Sequence, residues 1–162
     1  MTSKKLEIIA EPGKPSFTTR RVVDAPRALV FEAFTKPEHL KRWMGPRTLT
    51  MVSCESDLRV GGRYRFVHRA LDGQEFAFGG EYREIVRPER IVRTFVFEPM
   101  PDHEALETLT LSESDGKTTI TTTTLHNTVE GRDGHLASGR MEAGMTEGYA
   151  RLDELLTALQ PR

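Results

Sequence analysis

The chain has 162 residues, with 23 basic and 24 acidic side chains and a net charge of −1 at pH 7. This length suits a single domain, which can bury enough apolar surface to fold without disulfide or metal cross-links. The even charge balance gives no long-range field that would attract nucleic acid or an anionic membrane, so neither is predicted as a partner. The single cysteine, Cys54, excludes an internal disulfide.

The cellular compartment is predicted from the apolar segments and the cysteine content of the sequence. The first residues contain no apolar run as long as that of a signal peptide. No later segment approaches the roughly 20 apolar residues of a membrane-spanning helix. A lone cysteine fits a reducing environment. These features predict a cytoplasmic protein.

The N-terminal region contains an arm and then the first regular elements. Residues 1–15 are predicted to be an N-terminal arm or an edge strand, because an apolar stretch is followed by the turn sequence EPGKP. The segment FTTRRVV, residues 17–23, is typical of a strand. Asp24 is predicted as the N-cap of the following helix, and Pro26 as a residue of its first turn.

A second, short helix is encoded by PEHLKRWMGP, residues 37–46. Leu40, Trp43 and Met44 are spaced at i, i+3 and i+4, so they share one face of this helix. Gly45 supplies the left-handed residue that ends a helix, and the proline after it prevents continuation. The helix therefore places the one tryptophan of the chain on an apolar face.

A long β region follows these helices. The Asp-Gly pairs at 72–73 and 115–116 are strong hairpin signals, and Arg-Pro-Glu at 87–89 is a predicted turn. Consecutive hairpins indicate an antiparallel meander. The glycine pairs at 61–62 and 79–80 are predicted sites for bulges or bends that curve the sheet. The predicted strands are 49–57, 62–69, 75–86, 90–97, 105–113 and 117–126.

The C-terminal region is predicted to be one long helix of about residues 135–159, which begins after Gly131 and Gly134. Its apolar residues form a continuous stripe with a period of 3.6. The order of elements is a strand, two helices, six strands and a long helix, which predicts an α+β fold with a sheet that curves around the last helix.

Five sequence motifs resemble, in their order, those of a known family. The family is the activator of ninety-kilodalton heat-shock-protein (Hsp) ATPase homologue-like family, within the START-like, birch-pollen-allergen-like (SRPBCC) superfamily. The resemblance extends over residues 17–158 and implies that residues 16–160 form a single helix-grip domain. In that fold a curved antiparallel sheet wraps around a long C-terminal helix, two short helices follow the first strand, and a cavity lies between sheet and helix. The motifs are RVVDAPRALVFEAF, PEHLKRWMGP, DLRVGGRYRF, GEYREIVRPERIV and GYARLDELL.

The sequence contains no motif for metal, cofactor or nucleophile chemistry. The five histidines are scattered and show no HxH or HExxH spacing, and the phosphate-loop, dinucleotide and nucleophile-elbow patterns are missing. No catalytic residue, metal or cofactor is therefore predicted. His68 shares strand parity with Tyr64 and Phe66. It is interpreted either as a hydrogen-bonded residue near the strand end or as a group that orients a ligand or transfers a proton.

The clustered aromatic residues are the main functional signal. They crowd into three neighbouring strands, where they form core in a solid domain and partly line the cavity in the resembled fold. Gly144 and Gly148 on the last helix indicate either close helix approach or room for a ligand. Trp43 is predicted to be part of the rim or wall of the cavity. The predicted ligand-binding residues are Trp43, Tyr64, Phe66, His68, Phe78, Tyr82, Phe95, Phe97, Met141, Met145 and Tyr149.

These features predict non-enzymatic binding of a small hydrophobic or aromatic molecule in the cavity. Three alternatives stay open. The family resemblance implies co-chaperone-like stimulation of an Hsp ATPase, with a role in stress response. Related cavities host small-molecule enzymes such as cyclases, dehydratases or hydrolases, in which His68 would be the first candidate acid or base. Similar proteins also confer resistance by sequestering a toxic metabolite. A homodimer and a chaperone partner are further interactions that the sequence leaves open.

Overall fold

The computed structural model describes residues 5–160, so residues 1–4 of the predicted arm lie outside the described part of the chain. Within that part, the chain forms eight strands and four helices. The bounds of the six strands predicted after the second helix are correct to within one residue. The elements are β1 (Glu7–Ile9), β2 (Ser16–Val23), α1 (Arg27–Thr35), α2 (Pro37–Trp43), β3 (Leu49–Ser56), β4 (Arg63–Ala70), β5 (Glu75–Val86), β6 (Arg90–Phe97), β7 (Ala105–Ser114), β8 (Lys117–His126), α3 (Val129–Ala137) and α4 (Arg140–Leu159).

The strands of residues 5–160 form one antiparallel sheet in the order β1-β2-β8-β7-β6-β5-β4-β3. Strands β3 to β8 follow one another as the predicted meander. Asp115 and Gly116 have φ angles of 54° and 76°, as the predicted two-residue turn between β7 and β8 requires. Since β2 lies beside β8 and β3 lies at the far edge, α1 and α2 connect the two sides of the sheet. The architecture is the predicted α+β helix-grip fold.

The hydrophobic core lies under the C-terminal half of α4. Leu152, Leu155 and Leu156 are almost fully buried there, in one cluster with Val23 and Ile120 of the sheet. The N-terminal half of α4 contributes only partly buried side chains between residues 140 and 147. The fold is therefore closely packed at one end of α4 and more open at the other.

The start of α1 differs from its prediction. The helix begins at Arg27, and its N-cap is Pro26, which makes no side-chain capping hydrogen bond. The backbone N–H of Arg27 instead donates to the carboxylate of Glu113, at 2.8 Å, from the end of β7. The prediction that Asp24 caps the helix was wrong because a distant carboxylate satisfies the free N–H group at the helix start.

The prediction of a single C-terminal helix from about residue 135 was also wrong. Thr128 caps α3 by accepting a hydrogen bond of 2.9 Å from the backbone N–H of Gly131, so this helix begins before the two glycines and not after them. The break comes later, at Gly139, whose φ of 70° is left-handed. Glycine inside a helix costs about 1 kcal/mol relative to alanine, which tertiary contacts can offset.

The glycine pairs are not the sites of the bulges in the sheet. The shifts in strand register lie between Met51 and Ser53 and between Tyr82 and Glu84, outside the glycine pairs. A Cβ atom on Gly80 would overlap the carbonyl oxygen of Thr94, so glycine permits close approach of β6 at that point.

None of the helices within residues 5–160 is long and apolar enough to cross a membrane.

Candidate functional site

A pocket of about 670 Å³ lies between the sheet and the N-terminal half of α4. The rest of its wall comes from strands β2 and β4 to β8, helices α1 and α3, the end of α2 and the segment between β6 and β7. The fold explains this position. Along α4, the residues that line the pocket come first, and the leucines that fill the core come after them. Aromatic and methionine side chains make up much of its wall.

The structure brings eight of the eleven predicted residues to this pocket. They come from separate parts of the chain, on α2, β4, β5, β6 and α4. The three residues that do not line it are Tyr64, Phe66 and Tyr82, which belong to the packed core. The eight residues are Trp43, His68, Phe78, Phe95, Phe97, Met141, Met145 and Tyr149.

Tyr64 and Tyr82 are held in the core by hydrogen bonds. The Tyr64 hydroxyl donates to the carbonyl oxygen of Thr94 at 2.6 Å, and the Tyr82 hydroxyl lies 2.7 Å from that of Ser56. The guanidinium carbon of Arg93 lies 4.4 Å from the centroid of the Tyr64 ring. Arg93 lines the pocket, whereas Tyr64, which was predicted to line it, lies in the core. Strand parity groups side chains on one face of the sheet, but it gives neither the face that lines the cavity nor the depth of a side chain in the core.

Trp43 is fixed as a rigid part of the wall. Its indole N–H donates to the carbonyl oxygen of Ala33 at 2.8 Å, which ties α2 to α1. The ring stacks on Tyr149 with the two centroids 5.9 Å apart, and it meets the edge of Phe34 at 4.8 Å. Only 4% of the residue is exposed to solvent. Its side chain is therefore both core packing and pocket wall.

Gly144 and Gly148 also line the pocket, and the structure distinguishes their environments. A Cβ atom on Gly148 would lie 3.2 Å from the backbone nitrogen of Gly45 and 3.4 Å from the carbonyl oxygen of Trp43. On Gly144 it would meet only the ring of Pro46, at an ordinary distance of 3.5 Å. Close approach of α2 therefore explains Gly148, whereas Gly144 leaves space on the pocket side.

An ion pair in the pocket wall was missed by the sequence analysis. Arg93 on β6 and Glu107 on β7 are direct neighbours in the strand register. The Nε of Arg93 donates to the carboxylate at 2.8 Å, and the two side chains are only 15% and 19% exposed. Burial opposes the charge of Arg93, but Tyr64 and Glu107 more than offset this effect and raise its pKa. Parity with Phe95 was the signal that could have placed Arg93 on this wall.

Three histidines at the pocket, His68, His126 and His135, have lowered pKa values. Burial, assisted by the positive charge of Arg151, lowers the pKa of His68. His68 is 4% exposed, and its Nε2 atom has no hydrogen-bond partner among the described residues. His126 and His135 lie with Nε2 and Nδ1 3.0 Å apart. Burial and then the proximity of His135 lower the pKa of His126 to about 4.

The sequence analysis treats these histidines as scattered, but α3 brings His135 onto β8 beside His126. Phe17 meets the edge of the His135 ring at a centroid distance of 5.2 Å, and the ring of Phe95 stacks on it at 6.2 Å. Among the described residues, no group of three or more histidine, cysteine or acidic side chains has an arrangement that could hold a metal ion. The histidine pair therefore closes one end of the pocket as packed, uncharged rings.

Comparison with known proteins identifies the fold and the family. The sequence profile of the family "Activator of Hsp90 ATPase homolog 1-like protein" matches residues 24–157. A crystal structure from Rhodobacter sphaeroides superimposes with a TM-score of 0.85 at 29% identity, covering 95% of this chain and 100% of that one. A crystal structure from Nitrosomonas europaea gives a TM-score of 0.79 at 27% identity, covering 88% of this chain and 94% of that one.

A third relative extends the likeness at the level of the fold alone. It is an AHSA1-like protein from Aeromonas hydrophila, with a TM-score of 0.69 at 17% identity and coverage of 90% of this chain and 98% of that one. No match was found among curated protein sequences. Since the profile matches most of the chain, the protein belongs to the family of Activator of Hsp90 ATPase homolog 1-like proteins.

Proposed function

We propose that this protein binds a small apolar or aromatic molecule, without transforming it, in the pocket between the sheet and α4. The observation that carries the proposal is a pocket of about 670 Å³ lined largely by aromatic and methionine side chains. Pockets for small molecules are typically about 300–1,000 Å³ and mainly apolar. Burial of an apolar ligand there would contribute roughly 25 cal/mol for each Å² removed from water.

The wall combines rigid and adaptable parts. Trp43 and Tyr149 stack on each other, and the indole hydrogen bond fixes the first ring. Met44, Met141 and Met145 lie nearby on the helical side and are only partly buried. Methionine is flexible and polarizable, so it can pack against differently shaped apolar ligands. This combination favours binding of a planar apolar molecule against the aromatic rings.

Binding without catalysis is favoured by how the polar groups of the wall are engaged. Arg93 and Glu107 form an ion pair, and His126 and His135 lie at hydrogen-bond distance. The pKa of each of these histidines is lowered by burial, so they are neutral near pH 7. His68 has no hydrogen-bond partner for its Nε2 atom among the described residues, so as an acid or base it would have to act directly on the ligand.

A fluorescence titration tests the proposal. The neutral dye N-phenyl-1-naphthylamine emits strongly in apolar surroundings, so we expect saturable enhancement with the wild-type protein. Met141→Trp adds bulk to the pocket wall and should weaken dye binding at least about tenfold, by steric exclusion. Leu71→Trp introduces the same residue at a hairpin tip that is 89% exposed, and it serves as the matched control.

Equal dye binding by the two folded variants, or no saturable binding by the wild type, would remove the proposal. Circular dichroism of both variants verifies that they fold.

Family membership favours a second candidate function, stimulation of an Hsp90 ATPase. A chaperone partner would contact the outside of the protein, so its effect should not depend on the pocket. The test is the ATPase rate of an Hsp90 with and without this protein and its Met141→Trp variant. Equal stimulation by the wild type and the variant would support this function, and an unchanged rate would exclude it for that Hsp90.

A further inference from the structure

We propose that the Arg93–Glu107 ion pair makes the pocket selective for neutral ligands that carry a hydroxyl or amide group, and against organic anions of the same shape. This inference rests on the proposed function, because it concerns which molecules the same pocket accepts.

The pair lies at the centre of the concave sheet. Strands β6 and β7 occupy middle positions in the strand order, and Arg93 is directly opposite Glu107 in their register. On the same strands, Phe95 and Leu109 also line the pocket. The pair is therefore a charged area between these apolar residues and the pocket-lining threonines Thr122 and Thr124 of β8, where a bound molecule would cover it.

Much of the hydrogen-bonding capacity of this pair is unused. Within the described chain, the pair forms one hydrogen bond, from Nε of Arg93 to one carboxylate oxygen of Glu107. A guanidinium group has five N–H donors, and a carboxylate can accept several hydrogen bonds. A hydroxyl group can donate to the carboxylate and accept from the guanidinium at the same time, and an amide can do the same with its N–H and carbonyl. Hydrogen bonds to charged groups are stronger than those between neutral groups.

The charges around the pair disfavour an anion. Glu107 already compensates Arg93, so a ligand carboxylate would meet a carboxylate of the same charge beside the guanidinium. An uncompensated charge is costly to bury. Burial lowers the pKa values of His68, His126 and His135 of the wall and so favours their neutral form. His103 also lines the pocket and is exposed to solvent. Glu130 and Arg140 also line the pocket, but they are exposed to solvent, which screens their charges.

Three probes of one shape test this selectivity by calorimetric titration at neutral pH. They are naphthalene, 2-naphthol and 2-naphthoate. We expect 2-naphthol to bind about tenfold tighter than naphthalene, and 2-naphthoate to bind at least about tenfold more weakly than 2-naphthol, because one hydrogen bond or one unfavourable charge contact changes affinity by about that factor.

A charge-switch variant provides the decisive arm. Glu107→Gln leaves Arg93 without a counter-charge, so 2-naphthoate should gain about tenfold or more in affinity and overtake 2-naphthol. Glu84→Gln is the control, since it removes the carboxylate of the exposed Arg90–Glu84 pair outside the pocket. The expected order of the probes for that variant is the wild-type order.

The outcomes separate this inference from the proposed function. If no probe binds the wild type, both are refuted. If naphthalene binds but 2-naphthoate binds as tightly as 2-naphthol, the pocket binds apolar molecules and the ion pair does not select among them. The same conclusion follows if Glu107→Gln folds and leaves the order unchanged. The wild-type comparison decides the question even if that variant unfolds.

Discussion

Trp43 illustrates how one residue can serve both the core and the pocket. Its N–H bonds the Ala33 carbonyl, and its ring packs between Phe34 and Tyr149. These contacts leave the ring almost no freedom, and it nevertheless lines the pocket. Pre-organised aromatic surface costs little conformational entropy when a ligand binds. The same contacts that stabilise the fold therefore prepare the wall for binding.

The histidines give a residue-scale prediction on pH. The pKa of His126 is lowered from 6.5 to about 4, mainly by burial. As the pH falls, the unfolded chain binds the proton first, so stability is present above about pH 6.5 and is lost as the pH falls towards about 4. We expect His126→Gln to flatten this loss. The measurement is the urea-unfolding free energy at several pH values across that range.

His39→Gln is the control for that measurement, because His39 lies on α2 outside the pocket. If His126→Gln and His39→Gln change the dependence of stability on pH equally, the assignment of this dependence to His126 is wrong.

At the scale of elements, α4 has two differently composed halves. Leu152, Leu155 and Leu156 fill the core at its C-terminal half. Met141 and Gly144 face the pocket at its N-terminal half. The side chains of one continuous helix thus set where the domain is solid and where it can receive a ligand.

The two glycines of α4 yield an element-scale prediction. Alanine favours a helix interior by about 1 kcal/mol over glycine. Gly144→Ala should stabilise the protein by most of this amount, since the new Cβ atom meets only Pro46 at 3.5 Å. Gly148→Ala should be destabilised relative to Gly144→Ala by at least about 1 kcal/mol, because its Cβ would crowd the backbone of α2's end. Chemical denaturation measures both, and equal stabilities would show that α2 does not constrain α4 there.

Elements with strong local signals were predictable from the sequence. Alternating residues and Asp-Gly turns predicted six strands, because strand periodicity and turn geometry are local properties. The helix α3 was not predicted, since Gly131 and Gly134 oppose a helix locally and contacts distant in sequence stabilise it. The same holds for the start of α1, where a carboxylate from Glu113 replaces a local cap.

The candidate site was predictable in part for a similar reason. Parity placed Phe95 and Phe97 on one face of their strand and left open whether that face lines the cavity, and the structure has both on the pocket wall. Parity gave the same face for Tyr64, which lies deeper, against Arg93. Arg93 and Glu107 have the parity of pocket residues, but charged side chains are usually exposed, so the pattern alone favoured the aromatics.

At the scale of the whole molecule, the fold positions the pocket and the wall residues decide what enters it. The chain shares its fold with bacterial relatives such as the Rhodobacter sphaeroides protein, which covers 95% of this chain at 29% identity. One fold can carry many functions, because function depends on the chemistry of the site. The proposed function therefore rests on the aromatic wall, the methionines and the central ion pair of this chain, and not on its fold.

Methyl NMR of the methionines tests binding in the pocket most directly. Met44, Met100, Met141 and Met145 line the pocket, whereas Met51 is buried in the core outside it and serves as an internal control. On titration with naphthalene we expect saturable ring-current shifts at the pocket methyls, above all those of Met141 and Met145, and little change at Met51. Unchanged spectra at saturating naphthalene, or shifts of equal size at Met51, would contradict a ligand site between the sheet and α4.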